Sequence, residues 1–247
     1  MLIALLLIAL SFAFLFHLIR RSYMKKRTFV PPEIEVKTHW SELLHSRELS
    51  SDAKNFPVPG VEDIFAVNEI FSAEECEALI SAAESHGFGE TDYPKEYRGN
   101  LRLITFDKSL SDSVWSRLQS FVPSTVNESG RKYKVVGLNE CWRLAKYFPG
   151  DQFGSHVDAF FEDHKTGQKS MFTVNIYMNG GFKGGNTTFY TQGKTSGPIS
   201  SYDIVPEAGL AVLFRQPPAK SYLHKGQVLQ SGNKYLFRSD VMYTLAD

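Results

Sequence analysis

Residues 134–158 read KVVGLNECWRLAKYFPGDQFGSHVD, and this stretch decides the fold. From Lys134 onward the apolar period is two, which belongs to strands and not to helices. The run to Tyr147 breaks at a Pro149-Gly150-Asp151 turn and resumes toward His156-Val157-Asp158. On a strand, residues two apart share a face, so His156 and Asp158 can point at one atom.

Downstream the same period continues. Strands are expected at 134–138, 141–147, 171–178, 187–191, 202–205, 210–215, 221–224, 226–229 and 234–243, separated by Gly, Pro and Asn. Asn179-Gly180 carries the signal of a type I′ hairpin turn. Upstream, Ile64, Phe65, Val67 and Ile70 read as an apolar strand, and then the period becomes helical. Ser72 is placed to cap a helix, with Glu75 completing a capping box and Phe71 packing on Cys76. Leu79, Ile80 and Ala83 extend its apolar face until Gly87. A second helix is expected over 111–121, with Val114, Trp115, Leu118 and Phe121 on one side. Two helices followed by many short strands predict a mainly β fold with flanking helices, a sandwich or jelly roll.

The chemistry lies in residues that this fold would bring together. His156-Val157-Asp158 is the only His-x-Asp in the chain. His224, in a later strand, can supply a third ligand, although a lone histidine on an apolar strand is ordinarily a core residue. Two imidazoles and one carboxylate form the facial triad of non-haem Fe(II) sites, with positions left open. Lys234 follows His224 by ten residues. Alone it would read as an edge-strand lysine. Beside a metal it can hold the far carboxylate of a chelating dicarboxylate.

Five ordered segments extend this pattern: FSAEECEALISAAESHGF, RLAKYFPGDQFGSHVDAF, TVNIYMNGGFKGGNTTFY, PEAGLAVLF and HKGQVLQSGNKYLFRSDVMY. Together, over residues 61–247, they resemble the 2-oxoglutarate/Fe(II)-dependent dioxygenase superfamily in its prolyl 4-hydroxylase-like branch. The resemblance implies a double-stranded β-helix, with metal ligation at His156, Asp158 and His224. It places the 2-oxoglutarate C5-carboxylate contact at Lys234 and a pocket hydroxyl at Tyr147. Arg238, on the same strand face as Lys234, is the alternative cation. Arg98, Asn100 and Arg102, in an expected surface loop, would border the substrate mouth. Arg143 shares a face with Tyr147 and can point into the pocket or neutralise Glu140. The implied cofactors are Fe(II) and 2-oxoglutarate, with L-ascorbate as a reductant. The implied reaction hydroxylates, or oxidatively demethylates, a peptide, protein or small-molecule substrate. Two positions depart from the family pattern. Its common His-Glu-Gly is His224-Lys225-Gly226 here, and the aromatic that collagen-type enzymes carry six residues after the lysine is Asp240. A cupin-type metalloprotein that does not use 2-oxoglutarate, or a silent scaffold, are the rival classes.

The N-terminal region reads differently. Leu2–Ile19, LIALLLIALSFAFLFHLI, is long enough as a helix for one membrane span. It lacks the basic start and small-x-small cleavage site of a signal peptide. Residues 1–19 are therefore expected to form a transmembrane anchor, 20–60 a basic flank and tether, and 61–247 the dioxygenase domain. Five of the 27 basic side chains fall within 20–27, with none of the 27 acidic ones. That cluster favours a body on the cytoplasmic side, whereas the family resemblance points to the endoplasmic reticulum and its lumen. The mildly acidic body offers no broad field for nucleic acid, and two cysteines make no disulfide scaffold or zinc site.

Overall fold

The computed structural model describes residues 36, 38–45, 55–57, 63–191, 200–217 and 222–246. The expected membrane segment and basic cluster lie outside these residues. No helix among the described residues is long and apolar enough to cross a membrane.

The strands in chain order are β1 (Asn55–Pro57), β2 (Ile64–Val67), β3 (Leu101–Phe106), β4 (Thr125–Glu128), β5 (Arg131–Leu138), β6 (Cys141–Tyr147), β7 (Phe153–His156) and β8 (Glu162–Asp163). They continue with β9 (Gln168–Tyr177), β10 (Lys183–Gly184), β11 (Thr187–Thr191), β12 (Ser200–Ile204), β13 (Ala211–Arg215), β14 (His224–Gly226), β15 (Leu229–Ser231) and β16 (Lys234–Leu245). Helices α1 (Ala73–His86) and α2 (Lys108–Leu118) precede most of them. The ladders are antiparallel. A ten-stranded major sheet runs β1-β2-β13-β9-β16-β5-β4, with β6 on β16, β3 on β6 and β8 on β9. A four-stranded minor sheet runs β12-β11-β14-β7. The result is mainly β and jelly-roll-like, as the periodicity predicted.

Alternation gives the major sheet two unlike faces. Trp142 and Leu144 of β6, Val174 and Ile176 of β9, Ala211 and Leu213 of β13, and Phe237 and Val241 of β16 share one core with α1 and α2. The intervening residues face the minor sheet. There Ile64, Ala66, Tyr177, Val212 and Phe214 pack with Phe189 of β11. Arg143, Tyr147, Asn175, Lys234, Arg238 and Asp240 occupy the same inner side, as register pairs and their two-residue neighbours.

Helix α1 starts as expected. Ser72 accepts from the Glu75 amide, the Glu75 carboxylate accepts from the Ser72 amide, and Phe71 and Cys76 are both buried in the helix-side core. Helix α2 starts three residues earlier than 111, because Asp107 caps it by accepting from the Leu110 amide at 2.8 Å. Both cysteines are buried.

Four expectations need correction. Asn179-Gly180 makes no hairpin: neither residue has the positive φ that a type I′ turn requires, and β9 and β11 lie in different sheets. Asn179 instead bridges chain segments, accepting from the Tyr235 amide and donating to the Asn233 carbonyl. The expected strands 221–224 and 226–229 are β14 and β15, shifted toward the C-terminus, because His224 pairs with His156 and Leu229 with Gly184. The stretch containing Arg102 is not a loop, since Leu101–Phe106 pairs along the whole of β6. The folded body also begins upstream of residue 61. Trp40, in a 3-10 turn at Trp40–Leu43, is fully buried and donates its indole N–H to Thr105 at 3.2 Å.

One buried ion pair ties these pieces together. Arg117 of α2 makes a two-pronged contact with Glu75 of α1 at 2.9 and 2.8 Å, and also donates to the carbonyls of Ile70 and His45. Burial opposes ionisation of Glu75, but the Arg117 contacts outweigh it and hold the carboxyl below its usual value. Glu75→Ala should cost roughly 3–5 kcal/mol, since it strands a buried guanidinium. Glu75→Ala combined with Arg117→Met should cost less. Urea unfolding of the three chains measures both differences.

Candidate active site

The site forms where the two sheets face each other. His156 ends β7, His224 opens β14, and the two are directly paired across the minor sheet with ring centroids 4.2 Å apart. Asp158 lies just beyond the end of β7, yet its carboxylate comes within 3.5 Å of His156 Nε2. One donor atom from each of His156, Asp158 and His224 lies within 4.8 Å of the others. This is the three residues' expected convergence.

Each ligand is held from behind. His156 Nδ1 is 2.8 Å from the Gly154 carbonyl and His224 Nδ1 is 2.9 Å from the Tyr222 carbonyl. A ring that donates through Nδ1 keeps its Nε2 lone pair for a metal. Phe153 stacks on His156 at 3.6 Å, and Phe189 and Phe214 flank His224 at 5.3 and 4.8 Å. Burial pushes His224 down to about 4, so its imidazole stays neutral. Asp158 Oδ2 accepts from Thr173 Oγ1 at 2.7 Å and lies 3.2 Å from Arg238 Nη2. Burial would raise this carboxyl, but Arg238, with His156 and Thr173, holds it far below the ordinary range. Two imidazoles whose Nε2 atoms are left free of the backbone and a committed carboxylate are the donor set that Fe(II) takes.

Lys234, on the facing major sheet, is 4% exposed. It stands opposite Tyr147 across β6 and β16, and its Nζ lies 5.5 Å from the Tyr147 ring centre and 5.3 Å from that of Tyr177. It donates to the Gly185 carbonyl at 2.5 Å and has no carboxylate partner among the described residues. Burial alone pushes it down to about 7. Burial pushes the Tyr147 hydroxyl up to about 12 despite nearby Arg98, so it stays protonated and can donate.

Arg238 does not share this pocket. It engages Asp158 and, at 3.4 Å, Asp240, which makes it a neighbour of the ligand set and not the second cation of the Lys234 pocket. Arg98 lies over the Phe153 ring at 4.4 Å and donates to Asn100 Oδ1 at 3.0 Å. Asn100 is buried, and Arg102 stands on β3 opposite Ala145. Arg143 turns inward beside Arg238, 3.7 Å from Asp240. The sequence reading passed over Thr173, Asn175 and Tyr177, although three polar-capable residues at two-residue spacing inside an apolar run signal a polar cavity face. It also passed over Gln216, which donates to Thr173 at 2.9 Å and to Asp240 at 2.8 Å, and had no local signal.

Comparison with known proteins agrees with this geometry. Residues 142–239 match the family model of the 2OG-Fe(II) oxygenase superfamily. The chain is 25% identical over 201 residues to the probable prolyl 4-hydroxylase 3 of Arabidopsis thaliana, covering 69% of this chain and 66% of that protein. Two solved structures share the fold. One is the viral collagen prolyl hydroxylase of Paramecium Bursaria Chlorella virus-1 in complex with 2-oxoglutarate, with TM-score 0.52 and 20% identity over 76% of this chain and 99% of that one. The other is a Trichoplax adhaerens prolyl hydroxylase bound to a hypoxia inducible factor peptide fragment, with TM-score 0.54 and 13% identity over 72% and 83%. Over residues 142–239 the chain is thus similar to the 2-oxoglutarate/Fe(II) oxygenases, a class of oxidoreductases whose cofactors are Fe(II) and 2-oxoglutarate. Within that class the curated relative it resembles is a probable prolyl 4-hydroxylase.

The outer contacts of Asp158 carry a prediction. Thr173→Val keeps the shape but removes the hydroxyl that orients the carboxylate. Metal affinity should fall roughly ten- to a hundredfold with the fold intact. Titration with Mn(II) or Ni(II) alongside circular dichroism checks this, and unchanged affinity would free Asp158 of that dependence.

Proposed function

We propose that this chain is an Fe(II)- and 2-oxoglutarate-dependent hydroxylase acting on a C–H bond of an organic substrate, foremost a peptidyl side chain of prolyl type. The observation that carries this is the pairing of two features in one cavity. Three metal-type donors converge, and on the facing sheet lies a lysine, 4% exposed, with no carboxylate partner among the described residues. A cupin-type protein that binds metal alone has no use for such a lysine, whereas a dicarboxylate co-substrate answers it.

With both cofactors bound, Fe(II) and 2-oxoglutarate supply the oxidising chemistry, using dioxygen and yielding succinate, CO2 and a hydroxylated product. The chain's own residues do the rest. His156, Asp158 and His224 would hold the metal. Thr173 and Arg238 fix Asp158, and the carbonyls of Gly154 and Tyr222 fix the imidazoles. Lys234 pairs with the far carboxylate of the co-substrate, with the Tyr147 hydroxyl as a second donor. The rings of Phe153, Phe189 and Phe214 keep water from the donor set. The peptide reading draws on the relatives, among them a prolyl hydroxylase solved with a peptide bound.

Membrane attachment through residues 2–19 is proposed on the sequence alone, as is the placement of the enzyme body on its cytoplasmic side. Carbonate extraction of membranes should leave the chain in the pellet, and release into the supernatant removes the anchor.

Lys234 generates the sharpest expectations. Lys234→Met should raise the KM for 2-oxoglutarate roughly ten- to a hundredfold, the worth of a charge-assisted bond, with little change in metal affinity. Below about pH 7 the free lysine already carries its proton, so co-substrate affinity is flat there. Above that value binding must recruit a proton, and the apparent Kd should rise about tenfold per pH unit. Calorimetry in buffers of different ionisation enthalpy should record the proton uptake. Proton-neutral binding at pH 8 would remove Lys234 from the contact.

A further inference from the structure

We infer that the substrate presents an oxyanion, a carboxylate in the first instance, to a guanidinium pair at Arg143 and Arg238 beside the metal position. The inference rests on the hydroxylase reading above and names its substrate class.

Four buried side-chain atoms among the described residues lack a hydrogen-bond partner: Arg143 Nη1, Arg238 Nε, Asn175 Oδ1 and Arg215 Nη1. Three of the four lie on one row of the major sheet. Register pairs Arg143 with Arg238 and Arg238 with Asn175, so their side chains share the inner face. Buried polar groups in folded proteins are almost always paired, so three orphans in a row need a cause.

Packing alone does not supply one. Like charges directly opposite one another across a sheet repel. The nearby carboxylates only partly answer them. Asp240 sits between the two guanidiniums but at 3.7 Å from Arg143 and 3.4 Å from Arg238, longer than a charge-assisted hydrogen bond. One Asp240 oxygen is already taken by Gln216 at 2.8 Å. Asp158 is committed to Thr173 and to the metal position. Arg143 therefore lies on the inner face with no hydrogen bond among the described residues; its Nη1 is buried while the side chain as a whole is 29% exposed.

Arg238 reaches Asp158 at 3.2 Å, so an anion held by this row lies one side chain from the ligand set. The Lys234 pocket, four residues along β16, remains free for the co-substrate. Asn175 adds an acceptor on the row and suits an N–H or O–H on the same substrate. A prolyl ring by itself answers none of the three groups, so on a peptide substrate the oxyanion comes from a residue beside the one that is hydroxylated. The position six residues past the lysine, Asp240, likewise offers a carboxylate and no aromatic wall.

The test uses the full chain with Mn(II) and N-oxalylglycine, an inert 2-oxoglutarate analogue that already fills the metal and Lys234 positions. Acetate, and an amidated peptide with one internal aspartate, are added against chloride at equal ionic strength, and the unfolding temperature is followed. A saturable rise with acetate alone identifies a small free acid, and a rise with the peptide, alone or as well, identifies an acidic peptide. Arg143→Gln should weaken that response roughly ten- to a hundredfold, and Arg143→Lys should restore part of it. No response above chloride, or a response unchanged in Arg143→Gln, overturns the inference. So does a loss in Arg143→Gln of N-oxalylglycine affinity in place of acetate affinity, which would assign the pair to the co-substrate. If neither Mn(II) nor N-oxalylglycine shifts the wild-type chain, the hydroxylase reading fails by itself, and the acetate comparison is then read on the metal-free chain.

Discussion

The two-sidedness of the major sheet is the constraint on which everything else depends. Its strands alternate between residues that pack against α1 and α2 and residues that face the minor sheet. The helix side is apolar along most of β9, β13 and β16, with the Ser239 hydroxyl satisfied by the carbonyls of Asn139 and Cys141, and that burial offsets the cost of ordering the chain. The inner side is thereby freed to carry charge. Without the helix-side core, a row holding two arginines, a lysine and an aspartate could not be kept out of water.

The inner cavity sets charges against burial in a graded way. Among the metal-type donors, burial keeps the His224 imidazole neutral while Arg238 and Thr173 keep the Asp158 carboxylate ionised. On the facing sheet, the lysine is desolvated with no anion to compensate it. A buried charge left unpaired is costly, and a site that tolerates one has stored part of the attraction that its ligand will release. The cavity is therefore strongly biased toward anions, and the single carboxylate at the metal position is kept from repelling them by the arginine beside it.

The sequence disclosed the architecture through periodicity and the ligand set through spacing. His156 and Asp158 were legible because two-residue spacing fixes a shared face. His224 and Lys234 became legible only in combination, since each alone has an ordinary structural explanation. Arg238 was placed on the correct face but given the wrong neighbour. Four residues of strand separate it from Lys234, and only the fold shows that Asp158 arrives from the other sheet to meet it. Gln216 and the pairing of Arg143 with Arg238 depend on which strands lie side by side, and that is a long-range fact. The Asn179-Gly180 dipeptide misled for the same reason, because a local turn preference lost to a crossover between sheets.

Strand β16 pairs with β6 and β5 on one side and with β9 on the other, and it also carries Lys234, Arg238 and Asp240. It therefore acts as a ruler. At about 3.3 Å per residue, Lys234 and Arg238, the proposed handles for co-substrate and substrate, are held roughly 13 Å apart along one rigid rod. Side chains can be exchanged at either mark without disturbing the other, so substrate preference can drift while cofactor use stays fixed. Sliding the rod by a single residue, in contrast, would turn both handles into the helix-side core together. Such a fold can be retuned by substitution but not by insertion within this strand.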